Sequence, residues 1–401
     1  MSDRERVSRI TWKSVIARRL VRHHLLRPAP KTDLVDVVAD VCGIHAQVWP
    51  SAEISLGLRI ANFTRRDLDV SLWEKRELVK AHGIRGTVHL LPAREYGWWL
   101  AALRAGWRRD TDPRRLAYLG MTQQQMDDTI DAIADSLTAT PITREALGEK
   151  VARRVGRWAV ERTVGGFGGQ WPVWQAGIGG AAMQGQLIFG PPVGTRVTFV
   201  RADSWLGRFK IASENAAQRE LMRRYLATYG PATEAEFAQW TNIEPRRARD
   251  LAKALGDAIE NVDVEGHVAW QIAGDRAVRA STSMLLLPRF DVYTVGSHPR
   301  DAVAPPEIVA KAAATGLLRA RSGTGRAFLV GPMPVLLVDG VIAGIWESKR
   351  SGTRIAITVQ PFVALDAKRR AGVERAAKRI GEIIGLESAV AIGAVSTRPH
   401  L

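Results

Sequence analysis

Cysteine is almost missing from this chain of 401 residues: Cys42 stands alone, which excludes an internal disulfide and fits a reducing compartment. Long apolar runs are missing as well. Met284-Leu285-Leu286-Leu287 stops at Pro288, and nothing approaches the length that spans a bilayer. The opening residues MSDRERVSR are charged and lack the apolar centre of a secretory signal. A soluble protein of the cytoplasm is therefore expected. Cys42 and His45 have C-x-x-H spacing, but two further ligands at zinc spacing are lacking, so neither a metal nor another cofactor is expected. Ser and Thr form no nucleophile elbow. Gly165 to Gly169 reads as a flexible break, too irregular for a phosphate loop. Acids are also scarce. Asp plus Glu number 41 against 57 Lys plus Arg, leaving a net charge of +16.

What is present begins with that charge. Counting along the sequence gives 46 Arg and 11 Lys. A GC-rich genome would favour Arg over Lys, but codon bias does not explain the missing acids. Arg is also the better bidentate ligand for phosphate, so a nucleic acid is the expected partner. Hydrophobic residues make up 46 %, ordinary for a globular chain, and the length allows two to four domains.

One supersecondary unit recurs. At 229–272, Thr233 with Glu236 forms a capping box for a helix carrying Phe237 and Trp240. Asn242 to Glu244 turn, and Pro245 opens a second helix through Leu255. Val262 and Val264, the Glu265-Gly266 turn, and Val268, Trp270 and Ile272 then read as a hairpin. Helix, turn, helix and hairpin is the order of a winged helix. A second copy is expected at 121–201, with helices near 122–138, 143–155 and 171–185, and Leu187 to Phe189 pairing Val197 to Val200. An N-terminal copy has helices near 12–26, 33–43 and 65–80 and a strand at Thr87 to Leu91; Thr64 and Asp67 cap its third helix. From about 276 strands dominate: Val335 to Val338, the Asp339-Gly340 turn, Val341 to Trp346 and Ile355 to Val359 form a meander that could close a small barrel. A basic helix from Leu365 to Ile384 follows. The expected fold is α+β, three tandem winged-helix units (1–120, 121–205, 206–275) followed by a C-terminal β-barrel-like domain at 276–401.

His45-Ala46-Gln47 is the most informative stretch. Leu34, Val37, Val38, Val41 and Cys42 form a buried helical stripe ahead of it, and Gly43 offers a stop. Within a continued helix His45 and Gln47 would lie about 200° apart. In an extended chain both point to one side, and two neutral groups can address one water. A plain helix end with polar caps is the competing reading.

Four stretches in order carry a family resemblance. They are Arg85-Gly86-Thr87-Val88-His89-Leu90; Tyr229-Gly230-Pro231-Ala232-Thr233 with Phe237-Ala238-Gln239-Trp240-Thr241; Leu287-Pro288-Arg289-Phe290-Asp291; and Val335-Leu336-Leu337-Val338-Asp339-Gly340 with Gly344-Ile345-Trp346. From about Ile10 to about Gly385 the chain resembles the tandem winged-helix proteins of the AlkZ/YcaQ kind. That resemblance implies a bacterial DNA glycosylase that excises alkylated purines and unhooks interstrand crosslinks. The family signature is Gln-x-Gln or Gln-x-Asp; Gln47 matches its second position, and His45 departs from its first.

The chemistry suits these residues. N7-alkylguanine leaves as an already cationic base, so no general acid is needed, only a placed water and an oxocarbenium-like transition state. Gln47 can orient that water, and neutral His45, with an ordinary pKa of about 6.5, can take its proton or hold it. The expectation is a monofunctional glycosylase acting on double-stranded DNA with alkylated purines. No lysine stands out for Schiff-base chemistry. Arg85, His89, Arg246, Arg247, Arg249, Lys349, Arg350 and Arg354 are the expected DNA contacts, the last three on a hairpin that would probe the minor groove. His23-His24 among Arg18, Arg19, Arg22 and Arg27 reads as a solvated basic face, or a phosphate contact. Asp291 reads as a turn cap or a positioning group. The competing functions are a non-catalytic winged-helix transcription regulator and, on charge alone, an RNA-binding protein.

Overall fold

The computed structural model describes residues 8–166, 169–316 and 325–396. The fold mixes helix and sheet. Its packing divides the chain into two compact units. One takes the chain up to Leu68, Arg219–Trp240 and the chain from Glu244 onward; the other takes Asp69–Gln218 with Thr241–Ile243.

Helix α1 spans Trp12–Arg22, shorter than the expected 12–26, and opens where the Thr11 side chain accepts the Ser14 N–H. Helix α2 (Leu34–Asp40) buries the whole stripe of Leu34, Val37, Val38, Val41 and Cys42. It ends as Cys42 (φ 60°) and Gly43 (φ 92°) turn left-handed and the Gly43 N–H reaches back to the Val38 carbonyl at 2.8 Å. The chain then extends through β1 (Ile44–His45) and re-enters a helix, α3 (Trp49–Arg59). Helix α3 was not expected from the sequence. Pro50 sits in its first turn, where proline is tolerated, and nine of its 11 residues are buried, so it has no polar face to create a period.

The helix expected over 65–80 is only partly present. Thr64 and Asp67 cap it as anticipated, but Arg65–Asp69 passes into a π-type turn and Arg76 (φ 57°) breaks the helical path. Leu78–His82 is instead a strand, β2, paired antiparallel with β3 (Val88–Pro92). In the same unit α4 (Gln123–Ser136) opens on a Thr122/Gln125 capping box, and α5 (Arg144–Val155) is capped by Thr143. Strands β4 (Leu187–Val193) and β5 (Arg196–Arg201) pair as expected, with Ile188 opposite Val200. Trp174, Ile133, Leu147 and Phe199 lie in the core of this unit. The presumed break at Gly165 to Gly169 is a correction: Thr163–Gly166 and Gly169–Pro172 are paired strands, and residues 167–168 lie outside the described ones.

Helices α6 (Glu214–Tyr229), α7 (Glu234–Thr241) and α8 (Pro245–Leu255) precede hairpin strands β6 (Ile259–Val264) and β7 (His267–Ile272). The capping box is made: Glu236 accepts the Thr233 N–H at 2.7 Å and Thr233 Oγ1 accepts the Glu236 N–H at 3.3 Å. Tyr225, Phe237 and Trp240 pack ring to ring, with centroids 4.6 Å apart for Tyr225 and Trp240.

The C-terminal strands are β8 (Met284–Leu287), β9 (Val335–Val338), β10 (Val341–Ser351) and β11 (Arg354–Pro361). Helix α9 (Ala367–Ile384) follows, then β12 (Glu387–Ile392). They form one sheet in the order β8-β9-β10-β11-β12. The expected barrel is thus a curled half-barrel among the described residues. Its end strands β8 and β12 do not pair, and α9 lies against both. Because α9 is a crossover, β12 returns parallel to β11.

The histidine–arginine face of α1 also needs correction. His23, Arg18 and Arg19 are buried, not solvated. Arg19 donates to the Pro231 carbonyl at 3.0 Å and to that of His298; Arg18 meets Gln271 at 3.1 Å, and Arg22 meets Asp275 at 2.9 Å. His23 is wedged between the rings of Tyr229 and Tyr293, 4.8 and 5.3 Å away, and burial pushes its pKa well below 6.5. These cations are consumed by internal acceptors because α1 runs through the interior of its unit.

Candidate active site

The H-A-Q segment is held from both ends. The Tyr229 hydroxyl donates to the Val41 carbonyl at 2.9 Å and Thr228 to that of Asp40, which satisfies the open end of α2. Beyond the segment, α3 begins at Trp49. His45 and Ala46 are buried, at 7 % and 1 % exposure, whereas Gln47 is exposed in the bend before α3. The strand covers Ile44–His45, and the chain bends at Gln47 before α3.

The His45 imidazole lies flat on the Phe290 ring, with centroids 5.0 Å apart and planes at 22°. Phe290 itself is held in the left-handed region (φ 59°), and its N–H donates to the Gly331 carbonyl at 2.7 Å. The next residue explains how that conformation persists. Asp291, fully buried, accepts two bonds from the equally buried Arg59 guanidinium (2.7 and 2.9 Å) and one from the Ser55 hydroxyl (2.6 Å). It also caps the following helical turn through the Tyr293 N–H at 2.9 Å. The anticipated turn cap at Asp291 is therefore present. Ser55 and Arg59 lie on α3, so the ion pair ties the helix that follows Gln47 to the turn beneath His45.

Beside this turn lies a cavity of about 330 Å³. Its walls include Val48, Pro50 and Ser51 from the start of α3, Arg289, and Trp346 and Ser348 of β10. The Trp346 Nε1–H donates to the Leu287 carbonyl at 2.8 Å, which fixes that wall. Sequence reasoning missed Arg59, Ser55, Arg289 and Phe290. Phe290 stood inside a quoted motif, but no pattern linked it to His45.

The expected DNA contacts divide. His89 is buried, and its Nδ1 lies 3.0 Å from the Thr87 carbonyl; burial lowers its pKa to about 4, so it is a neutral packed histidine rather than a surface contact. Arg85 (φ 56°) is half-buried in the preceding turn. Arg246 is exposed at the start of α8 and Arg247 partly so. Arg249 is engaged by Glu234 through bonds of 2.8 and 2.6 Å. Lys349 and Arg350 are exposed at the tip of the β10–β11 hairpin, where Ser351 pairs Arg354; Arg354 meets Glu387 at 2.9 Å. No helix of the described residues is long and apolar enough to cross a membrane, and no His, Cys, Asp and Glu cluster among them could hold a metal.

Comparison with known proteins defines the class. The sequence matches the family described as DNA glycosylase AlkZ-like over residues 38–383. The chain belongs to this family of DNA glycosylases, which places it among DNA-repair enzymes rather than non-catalytic regulators. Among individual proteins it is similar to the interstrand DNA cross-link repair glycosylase of Streptomyces sahachiroi, 28 % identical over 390 residues that cover 94 % of this chain and 97 % of that one. The solved structure of Streptomyces sahachiroi DNA glycosylase AlkZ matches with a TM-score of 0.75 and 26 % identity, covering 96 % of this chain and all of the other.

Proposed function

We propose that this glycosylase hydrolyses the N-glycosidic bond of N7-alkylguanine in duplex DNA, including guanines held in interstrand crosslinks, with a water placed by His45 and Gln47. The observation that carries this reading is the His45 imidazole, buried and laid on Phe290, two residues before an exposed Gln47. Gln47 orients the water through its amide, and neutral His45 takes up the proton as the oxygen bonds to C1′. The C1′–N9 bond breaks with its electron pair passing to the base, which leaves as neutral N7-alkylguanine. The base's own positive charge replaces a general acid, so an unmodified purine would be a poor substrate. Similarity to the interstrand DNA cross-link repair glycosylase of Streptomyces sahachiroi supports the crosslink part.

Three winged-helix units belong to the same proposal. The element order at 214–272 and the helices and hairpin at 123–201 support the second and third. Arg246, Arg247, Lys349 and Arg350 are the surface cations we assign to the duplex. A monomer without a lyase step completes the reading.

The test uses purified protein and duplexes carrying N7-methylguanine or a crosslink, with abasic sites as readout. His45→Ala and Gln47→Ala are each expected to lower excision by about 10²-fold or more, with duplex binding retained. Undiminished excision in both variants would overturn the assignment of the water-placing pair. No base release from any alkylated duplex by a protein that binds DNA normally would overturn the substrate reading.

A further inference from the structure

Arg289 precedes Phe290, on whose ring the His45 imidazole lies, and stands on the wall of the cavity beside that turn. Its side chain is half-buried, and no partner for its guanidinium occurs among the described residues. Burial lowers its pKa, and no charge among the described residues offsets the effect. Other withdrawn guanidiniums in the same unit are treated differently: Arg59 has Asp291, Arg18 has Gln271 and Asp275, and Arg19 has a group of carbonyls. Half-burial of an uncompensated cation costs stability, and the cost is recovered when a ligand brings the missing anion.

The planar fork of donors suits a phosphate diester, which it can grip at two oxygens. A cationic base is the wrong neighbour for it, since like charges repel. The surroundings lead the same way. The cavity wall at Trp346 to Ser348 continues along β10 to the exposed Lys349 and Arg350, so two further cations follow on the strand that helps to wall the cavity. Glu347, the carboxylate on that wall, accepts the Ser396 N–H and hydroxyl, both at 3.1 Å.

We propose that Arg289 is a substrate-binding residue that grips a backbone phosphate next to the damaged nucleotide and so sets its sugar against His45 and Gln47. This rests on the site assigned above, but its test does not require base excision. Full-length protein is titrated by fluorescence anisotropy against a duplex carrying a stable abasic analogue, over a range of salt. Arg289→Gln is expected to reduce the slope of log K against log salt by about one and weaken binding roughly ten-fold, while Arg289→Lys keeps the slope. A neutral methylphosphonate is then placed at each phosphate flanking the analogue. One position weakens binding by the wild-type protein, and at that position Arg289→Gln causes no further loss. Unchanged slope and affinity in a folded Arg289→Gln protein would overturn the proposal, as would additive losses at every position. Slower base excision with a wild-type salt slope would place Arg289 on the base, which also overturns it. Should Arg289→Gln fail to fold, the decision passes to the wild-type methylphosphonate profile: one sensitive position, bound equally by Arg289→Lys, supports the proposal, and a flat profile overturns it. Tight analogue binding that depends on Arg289, with no excision of any alkylated base, would leave this inference standing and remove only the substrate reading.

Discussion

Phe290 and Asp291 are adjacent, and the second holds the first in place. An aromatic residue at φ 59° carries backbone strain of about 1–2 kcal/mol, kept only because its surroundings over-determine it. Asp291 supplies that constraint through Arg59 and Ser55. Asp291→Asn would leave the Arg59 charge buried and uncompensated, and is expected to cost about 3–5 kcal/mol in urea unfolding. A loss below about 1 kcal/mol would show that the pair is dispensable. The histidines make a second prediction. His23 and His89 are neutral when folded, with pKa values below the ordinary 6.5, that of His89 at about 4. The unfolded chain therefore binds more protons below pH 6.5. Stability is level above about 6.5 and falls as the pH drops from there towards about 4. His23, whose ring nitrogens have no hydrogen-bond partner among the described residues, should be replaceable by Phe between the two tyrosine rings. His23→Phe should then flatten the acid slope of Tm. An unchanged slope would remove His23 from the account.

At the scale of elements, α3 is the piece that organises the site. It starts two residues after Gln47, contributes Ser55 and Arg59 to the ion pair, and packs on α9. Gly57 makes that approach possible: a Cβ there would stand 2.5 Å from Ile383 of α9. Arg379 of α9 donates to the Gly57 and Ile60 carbonyls at 2.8 and 2.7 Å, closing the end of α3. Gly57→Ala should cost about 1–3 kcal/mol in chemical denaturation, because Ile383 must leave its rotamer. A neutral or stabilising result would mean that α9 yields without cost. The stripe of α2, the Thr233/Glu236 capping box and the 187–200 hairpin were readable, since each depends on residues a few positions apart. Helix α3 and strand β2 were not. The first is buried nearly all round, and the second is decided by its pairing with Val88–Pro92.

For the whole molecule, the excess of 16 positive charges does not describe one binding surface. Arg18, Arg19 and Arg59 are spent inside the protein, and Arg249 and Arg354 are engaged by Glu234 and Glu387. Arg246 and Lys349 remain exposed. Arg246→Gln and Lys349→Gln should each lower the salt slope of duplex binding by about one and leave Tm within about a degree. Arg19→Gln should do the reverse, a fall in Tm of several degrees with the slope of the surviving folded protein intact. Matching effects from all three would show that burial does not sort these arginines.

The sequence by itself determined the class of protein, most local elements and the tripeptide to look at, because motif order, capping and apolar spacing are written in neighbouring residues. It also carried the departure at His45. Only the tertiary structure decided which cations face outward, that His89 is packed away, that the C-terminal sheet stops at a half-barrel, and that His45 lies on Phe290. Those outcomes depend on groups that meet from far apart in the chain: His45 with Phe290, Arg59 with Asp291, and Arg19 with Pro231. No local pattern records such meetings, since burial and pairing are settled only when the chain has closed on itself.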